Sequence, residues 1–397
     1  MSRKPTRLAD ISEIITKGTT PTTLGFKFVE SGVPFLRVQN IDGGSVNYGR
    51  DTLFIDEKTH EALKRSQIKP GDVLVSIAGT IGRAGIVPDD ASALNCNQAV
   101  AIVRPTKHLY RPFLRMWLES ADAQRQMRRA MVTGTISNLS LTQVRNLKIQ
   151  LPPLAEQRRI AEVLDRAEAL RAKRRAALAQ VNSLTQSLFL DLFGDPAANP
   201  KGWPVSSLAE VCSVAGQYGS NVPAIEFSPS LPRYIRITDI HSEGKLALGR
   251  VSPGGTRANW SDLKLEDGDV LFARSGATVG KTYRYSSLDG DCVFAGYLIR
   301  FRPKPTKLLS EVLFHFTRTE AYARWVVARQ RVVAQPNINA KQYGAELNIP
   351  LPPLDLQREF ARRVGSVEKL KTVQRASLAE MDALFATLQH RAFRGEL

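Results

Sequence analysis

The chain has 397 residues, with 55 lysines and arginines against 38 aspartates and glutamates, a formal net charge of +17 at neutral pH. That length argues for two or three domains, and a hydrophobic fraction of 43 % excludes a mostly disordered chain. No run reaches the roughly 18 continuous apolar residues of a membrane span, and the start, MSRKPTRLADISEII, lacks an apolar signal core. Cys96, Cys212 and Cys292 form no CxxC pair, so neither a disulfide framework nor a zinc knuckle is expected, and a reducing cytoplasm is the expected compartment. His60, His108, His241, His315 and His390 are scattered without metal spacing. An excess of cations costs self-repulsion, which a polyanionic partner commonly offsets.

In chain order, short β-rich runs are predicted at 35–38, 72–77 and 99–103, followed by a helical stretch over 111–131. A second set follows at 234–237, 269–273 and 297–301, with a helical stretch over 310–331. After each set comes a similar segment. LPPLAEQRRIAEVLDRAEALRAKRRAALAQVNSL begins at Leu151, and LPPLDLQREFARRVGSVEKLKTVQRASLAEMDAL begins at Leu351. Aligned without gaps over 38 positions, the two share 15 identities. Earlier pieces match in the same order: Gly71-Asp72-Val73-Leu74 with Gly268-Asp269-Val270-Leu271, and Phe35-Leu36-Arg37-Val38 with Tyr234-Ile235-Arg236-Ile237. The chain is one plan written twice.

Each Pro-Pro pair stops what precedes it and suits the start of a helix. The following residues carry a seven-residue apolar period. Ile160, Val163, Ala167, Leu170, Ala177, Val181, Leu184 and Leu188 fall on it, with Arg174 at a middle position. Phe360, Val367, Leu370, Met381, Leu384 and Leu388 repeat the phase, with Gln374 in the middle. Helices of about 40 residues, roughly 60 Å long, would bury these stripes against each other in antiparallel fashion, with Arg174 near Gln374.

Two basic domains, each followed by an LPPL-x-x-Q-R segment and a long helix, resemble the specificity subunit of a type I restriction–modification system. The likeness covers essentially the whole chain, and GDVLVSIAGTIGRAGIV in the first half adds to it. It implies an α+β fold: two similar mixed α/β DNA-recognition domains separated by two long antiparallel helices, a pseudo-two-fold repeat. The boundaries expected are 1–150 for the first recognition domain, 151–195 for the first spacer helix, 196–350 for the second domain and 351–397 for the second helix. It further implies a non-catalytic reader of double-stranded DNA with a bipartite, interrupted target, docking two methyltransferase subunits and, in the full complex, restriction subunits. S-adenosylmethionine, ATP and magnesium are then expected only in those partners. The alternative is a coiled-coil adaptor that grips RNA or protein through its repeated domains.

Base edges are read by Arg or Lys for guanine, by Asn or Gln for adenine and by small hydroxyls or acids elsewhere, most naturally from loops after strands. That rule selects Arg37, Gln39, Asn40, Ser76, Thr80, Arg83, Asn95, Asn97, Gln98, Thr135 and Asn138 in the first half. In the second it selects Arg236, Thr238, Asp239, Arg274, Ser275, Thr278, Lys281, Tyr297, Gln335, Asn337 and Asn339. Arg128, Arg129, Arg324, Arg329 and Arg331 suit phosphates better. Enzymatic motifs fail on inspection. Gly276–Thr282 has its first glycine one residue too close to the Gly-Lys-Thr for a phosphate-binding loop. Both Pro-Pro pairs are flanked by leucine, unable to bind a target amino group. Asp239 with Glu243-Gly244-Lys245 reads as a solvated turn.

Overall fold

The computed structural model describes residues 5–49, 51–131, 138–241, 243–255, 260–330 and 337–397. It divides into two compact units, Met1–Arg175 with Ala376–Leu397, and Ala176–Arg375.

In the first unit the main strands are β1 (Ser12–Lys17), β2 (Val33–Leu36), β3 (Val73–Ser76), β4 (Ala84–Ile86), β5 (Leu94–Cys96) and β6 (Val100–Pro105). β6 lies between β1 and β3, antiparallel to both, and β4 pairs antiparallel with β3. β2 and β5 pair in parallel in a second sheet. β3 and β6 read as unbroken apolar runs because both faces are covered. Val73, Val75, Ala101 and Val103 face Phe113 and Trp117 of helix α1 (Arg111–Leu118), while Leu74, Val100 and Ile102 face Leu36, Ile41 and Leu94. Helices α2 (Ala121–Ala130) and α3 (Leu141–Arg145) follow, then the long α4 (Leu154–Phe193).

The second unit repeats the plan. β7 (Cys212–Tyr218), β8 (Arg233–Ile235), β9 (Val270–Ala273), β10 (Thr282–Arg284), β11 (Cys292–Phe294) and β12 (Leu298–Pro303) form the sheet order β7-β12-β9-β10, with β8 parallel to β11. Helices α5 (Ser310–Phe316), α6 (Glu320–Gln330), α7 (Ala340–Glu346) and the long α8 (Leu354–Arg394) complete it.

Two devices recur in both units and explain the matched motifs. In Gly-Asp-Val-Leu the glycine takes φ of 78° at Gly71 and 87° at Gly268, a conformation costly for other residues. The buried aspartate then clamps an arginine of the neighbouring strand. Asp72 accepts from Arg104 at 2.8 and 2.7 Å, and Asp269 from Arg302 at 2.6 and 2.9 Å. Each carboxylate also accepts one backbone amide, Lys69 or Glu266, so a buried charge is fully partnered.

The second device is the glutamine of LPPL-x-x-Q. Gln157 is 1 % exposed and Gln357 is fully buried. Gln157 accepts the Tyr110 amide at 2.7 Å and donates to the carbonyls of His108 and Pro152 at 2.9 and 2.8 Å. Gln357 accepts the Leu309 amide at 2.9 Å and donates to Lys307 and Pro352 at 3.0 and 2.8 Å. One side chain thus ties the start of each long helix to the loop before α1 or α5.

The long helices run antiparallel. In the first unit Arg171 of α4 donates to Asp382 of α8 at 2.7 Å and lies 4.2 Å from the Phe385 ring centre. In the second, Phe189 and Phe193 meet Phe360 at 5.6 and 5.1 Å, and Lys371 donates to Thr185 at 3.2 Å. The seam corrects the expected stripe. Ile160, Phe360 and Val367 are buried, while Arg174, Val181, Leu188, Gln374, Met381 and Leu388 are half-buried. Val163, Leu170, Leu184, Leu370 and Leu384 are exposed by 37 to 59 %. The alternate seam positions fall one residue later, at Leu164, Arg171, Thr185, Val364, Lys371 and Phe385. The reason is chemical: Arg171 and Lys371 can sit inward because Asp382, Phe385, Thr185 and Glu368 receive them.

His315 of α5 packs 5.4 Å from the Phe360 ring. Burial first, then the cations Arg318, Lys371 and Arg284, lowers its pKa to about 3. The folded imidazole stays neutral where the unfolded one, titrating near 6.5, takes a proton, so this contribution to stability is present above pH ~6.5 and is lost on acidification. Urea unfolding between pH 6.5 and 4.5 should show a smaller loss of stability for His315→Gln than for the parent chain. Equal losses would contradict the assignment.

Candidate nucleic-acid interface

In each unit one end of the sheets is stitched into a rim by backbone hydrogen bonds. In the first, the amides of Gly18, Thr19, Asn97, Ile77 and Leu139 donate to the carbonyls of Val100, Cys96, Leu36, Ala99 and Ile77 at 2.8 to 3.1 Å. In the second, Gly219, Ser220, Ala295, Arg274 and Ile338 donate to Leu298, Phe294, Ile235, Tyr297 and Arg274 at 2.9 to 3.3 Å. The pattern is the same bond for bond. The strands approach so closely that a Cβ at Gly18 would lie 2.1 Å from the Cys96 oxygen, and one at Gly219 2.2 Å from that of Phe294. Glycine is required there by space.

The rim and its adjoining turns present some of the candidate side chains and spend others. Gln39, Thr80, Arg83, Gln98 and Asn138 are exposed in the first unit, as are Thr238, Tyr297 and Asn337 in the second. Arg274, Ser275, Thr278 and Lys281 are half-buried. Ala78 bridges Asn138 and Ser275 bridges Asn337, which brings the turns after β3 and β9 to the segments before α3 and α7. The Arg274 guanidinium lies 4.9 Å from the Tyr218 ring centre, and its buried Nε has no hydrogen-bond partner. Thr135, Gln335 and Arg331 lie outside the described residues.

Several candidates are corrected to structural roles. Asn40, 6 % exposed, accepts the Arg37 amide at 2.8 Å and donates to the Asn47 carbonyl at 3.0 Å. Asp239 does the equivalent, accepting the Arg236 amide at 2.9 Å and its guanidinium at 3.1 and 2.9 Å. Arg236 is therefore partly spent, and Arg37 donates to the Asp51 carbonyl at 2.9 Å. The Ser76 hydroxyl is buried, donates to the Thr80 carbonyl and accepts the Arg83 amide. Asn95 is fully buried and accepts the Cys96 amide. Asn97 accepts the Ala99 amide at 3.2 Å, and Asn339 caps α7 by accepting the Gln342 amide at 2.9 Å. Short polar side chains next to turns satisfy their own backbone first.

Of the phosphate candidates, Arg128 and Arg129 are exposed, whereas Arg324 pairs with Glu320 at 3.5 Å. Arg329 bonds Glu346 at 3.0 Å and stacks 3.9 Å from Trp325. Residues 276–282 lead into strand β10 and not into a helix, as the defective phosphate-loop spacing anticipates. Glu243 and Lys245 face Arg375 and Glu368 at 3.8 and 3.9 Å. The cysteines are buried thiols, with Cys212 and Cys292 pushed up to about 12 by desolvation. Not selected from the sequence, but present on the rim, are Thr19, whose amide bonds the Cys96 carbonyl, and Tyr218, whose ring lies beside the Arg274 guanidinium. The matched pairs Gly18-Thr19 and Gly219-Ser220 were the available signal.

A family model described as the type I restriction modification DNA specificity domain matches the chain twice, over residues 3–180 and 200–380. The chain belongs to the type I restriction–modification DNA specificity family. It is 32 % identical over 170 residues to the EcoBI specificity subunit of Escherichia coli, a match spanning 42 % of this chain and 35 % of that protein. The EcoKI specificity subunit of Escherichia coli K12 is 23 % identical over 92 % of this chain and 82 % of its own length. The putative MjaX subunit of Methanocaldococcus jannaschii is 20 % identical over 98 % and 92 %. Among solved structures, a chain from a study of complex assembly and conformational transition in the type I R-M system covers 100 % of this chain and 98 % of itself, with a TM-score of 0.65 at 22 % identity. The type I S subunit from M. genitalium gives 0.56 at 14 % identity, covering 98 % and 96 %. These structures share the fold. The family thus has two DNA-recognition domains here, and the duplicated rim is present in both.

The correction at Asn40 separates two neighbours. Asn40→Ala should destabilise the chain by about 1–2 kcal/mol, because the buried Asn40 side chain makes two part-buried hydrogen bonds, to the Arg37 amide and the Asn47 carbonyl, that alanine cannot replace. Gln39→Ala should leave the thermal midpoint within a degree or two. Thermal unfolding of both variants checks this, and equal midpoints would contradict it.

Proposed function

We propose that this chain is the non-catalytic specificity subunit of a type I restriction–modification complex. Each recognition domain reads one half of a bipartite, interrupted target in double-stranded DNA. The antiparallel helices set the gap between the half-sites and dock two methyltransferase subunits, which restriction subunits join in the full complex. S-adenosylmethionine, ATP and magnesium serve the partner subunits.

The observation that carries the reading is the rim built twice from identical backbone bonds but with different exposed side chains. Gln39 stands where the second domain has Thr238, and Ala99 where it has Tyr297. Two like frames with unlike readers suit two different half-sites in one asymmetric target. The excess of cations supplies the sequence-independent attraction to phosphate.

The test is modified-base mapping of DNA from a host that carries the chain with a type I methyltransferase subunit. Methylation should occur at one interrupted, asymmetric sequence, and the purified chain alone should transfer no methyl group. One added turn in each long helix, about four residues, should alter the gap and leave both half-site sequences unchanged. Methyl transfer by the lone chain, or altered half-sites at a constant gap, would contradict the proposal.

A further inference from the structure

We infer that Tyr48 and Leu248 are equivalent apolar wedges, each pressing into a base step beside its own rim so that each lobe distorts its own half-site. The inference rests on the DNA-reading role proposed above and adds a residue in each lobe that a hydrogen-bonding code does not select.

Both residues sit at the end of the same small construction. After β2 and β8 the chain makes one 3₁₀ turn, Val38–Asn40 or Ile237–Asp239. It then doubles back, with Ile41 pairing Val46 and Ile240 bridging Leu246. The next amide returns to the turn: Asn47 donates to the Asn40 carbonyl and Ala247 to the Asp239 carbonyl, each at 2.8 Å. The residue that follows is Tyr48 in one lobe and Leu248 in the other. Tyr48 is 40 % exposed and Leu248 is 100 % exposed.

Each is held in place by its neighbours. Asn40 donates to the Asn47 carbonyl, just before Tyr48, at 3.0 Å. In the second lobe the buried Arg233 donates to the carbonyls of Ala247 and Gly249, on both sides of Leu248, at 2.6 and 3.2 Å. A single exposed leucine is ordinary. A large apolar side chain projected at the same place in both halves, from a turn clamped by buried polar groups, is a repeated design.

Its location selects the occupant. The turn that carries each wedge begins at Arg37 or Arg236, directly after Leu36 or Ile235, whose carbonyls accept rim amides from Asn97 and Ala295. On the DNA-reading role proposed above, an apolar side chain carried by a turn that leaves the rim, in a chain of net charge +17, meets a polyanion. The apolar surface of a duplex is found between its bases, and Leu and Phe wedges unstack base steps there, while a tyrosine ring can also stack on a base.

The experiment uses the chain assembled with methyltransferase subunits, and duplexes carrying 2-aminopurine at successive positions of each half-site, the methylated base excluded. Tyr48→Ala should abolish the fluorescence rise in one half-site alone, and Leu248→Ala in the other. Tyr48→Phe should retain it. Each alanine variant should bind about 5- to 20-fold more weakly with an unchanged salt slope, because no phosphate contact is lost. Specific binding within twofold of the parent complex, with fluorescence unchanged, overturns the wedges and leaves the reading role standing. Absence of any sequence-specific binding by the parent complex overturns both.

Discussion

A buried glutamine amide governs how each recognition domain joins its long helix. Gln157 and Gln357 lie on the first turn of their helices, each of which begins directly after a Pro-Pro pair. Each spends its carbonyl on a backbone amide, Tyr110 or Leu309, and its NH₂ on two carbonyls. An unmade hydrogen bond at such a buried site is far more costly than a made one is stabilising. The amide therefore selects one docking geometry out of the many that apolar packing alone would tolerate. The aspartate–arginine clamps of Gly-Asp-Val-Leu act likewise inside each sheet, and both devices occur at matched positions in the two halves.

The architecture was legible because the repeat is strong and the apolar patterns are simple. β3 and β9 read as unbroken apolar runs, and each long helix announced itself by Pro-Pro at its start and a seven-residue period. The seam was half legible. At 163/164, 170/171 and 184/185 the sequence offers an aliphatic residue beside another candidate, and periodicity favours the more apolar one. The fold chose Arg171 and Thr185 because residues some 200 positions away complement them. No local pattern contains that information.

The rim shows the same boundary between local and distant information. Asn40, Ser76, Asn95 and Asp239 have the right chemistry for reading bases, and all are buried and bonded to nearby groups of the fold. Gln39, Thr238, Thr80, Asn138, Asn337 and Tyr297 remain outward. Asn40 and Asp239 each accept the amide three residues back, at Arg37 and Arg236, a local bond of the kind short polar side chains commonly make beside turns. Thr19 and Tyr218 were hidden for the opposite reason: their place on the rim depends on close strand contact at Gly18 and Gly219. The frame is thus conserved between the halves by backbone bonding, and the outward positions are left to differ.

Native-state hydrogen exchange on Gln157→Leu and Gln357→Leu tests the central claim most directly. If each glutamine independently locks a helix to its own domain, Gln157→Leu accelerates exchange at Tyr110 and the start of α4 by about 10- to 100-fold, the equivalent of a lost buried hydrogen bond. Leu309 and the start of α8 then keep their protection, and Gln357→Leu produces the reverse pattern. Unchanged exchange at Tyr110 and Leu309, or equal loss of protection in both domains from either substitution, would contradict the account.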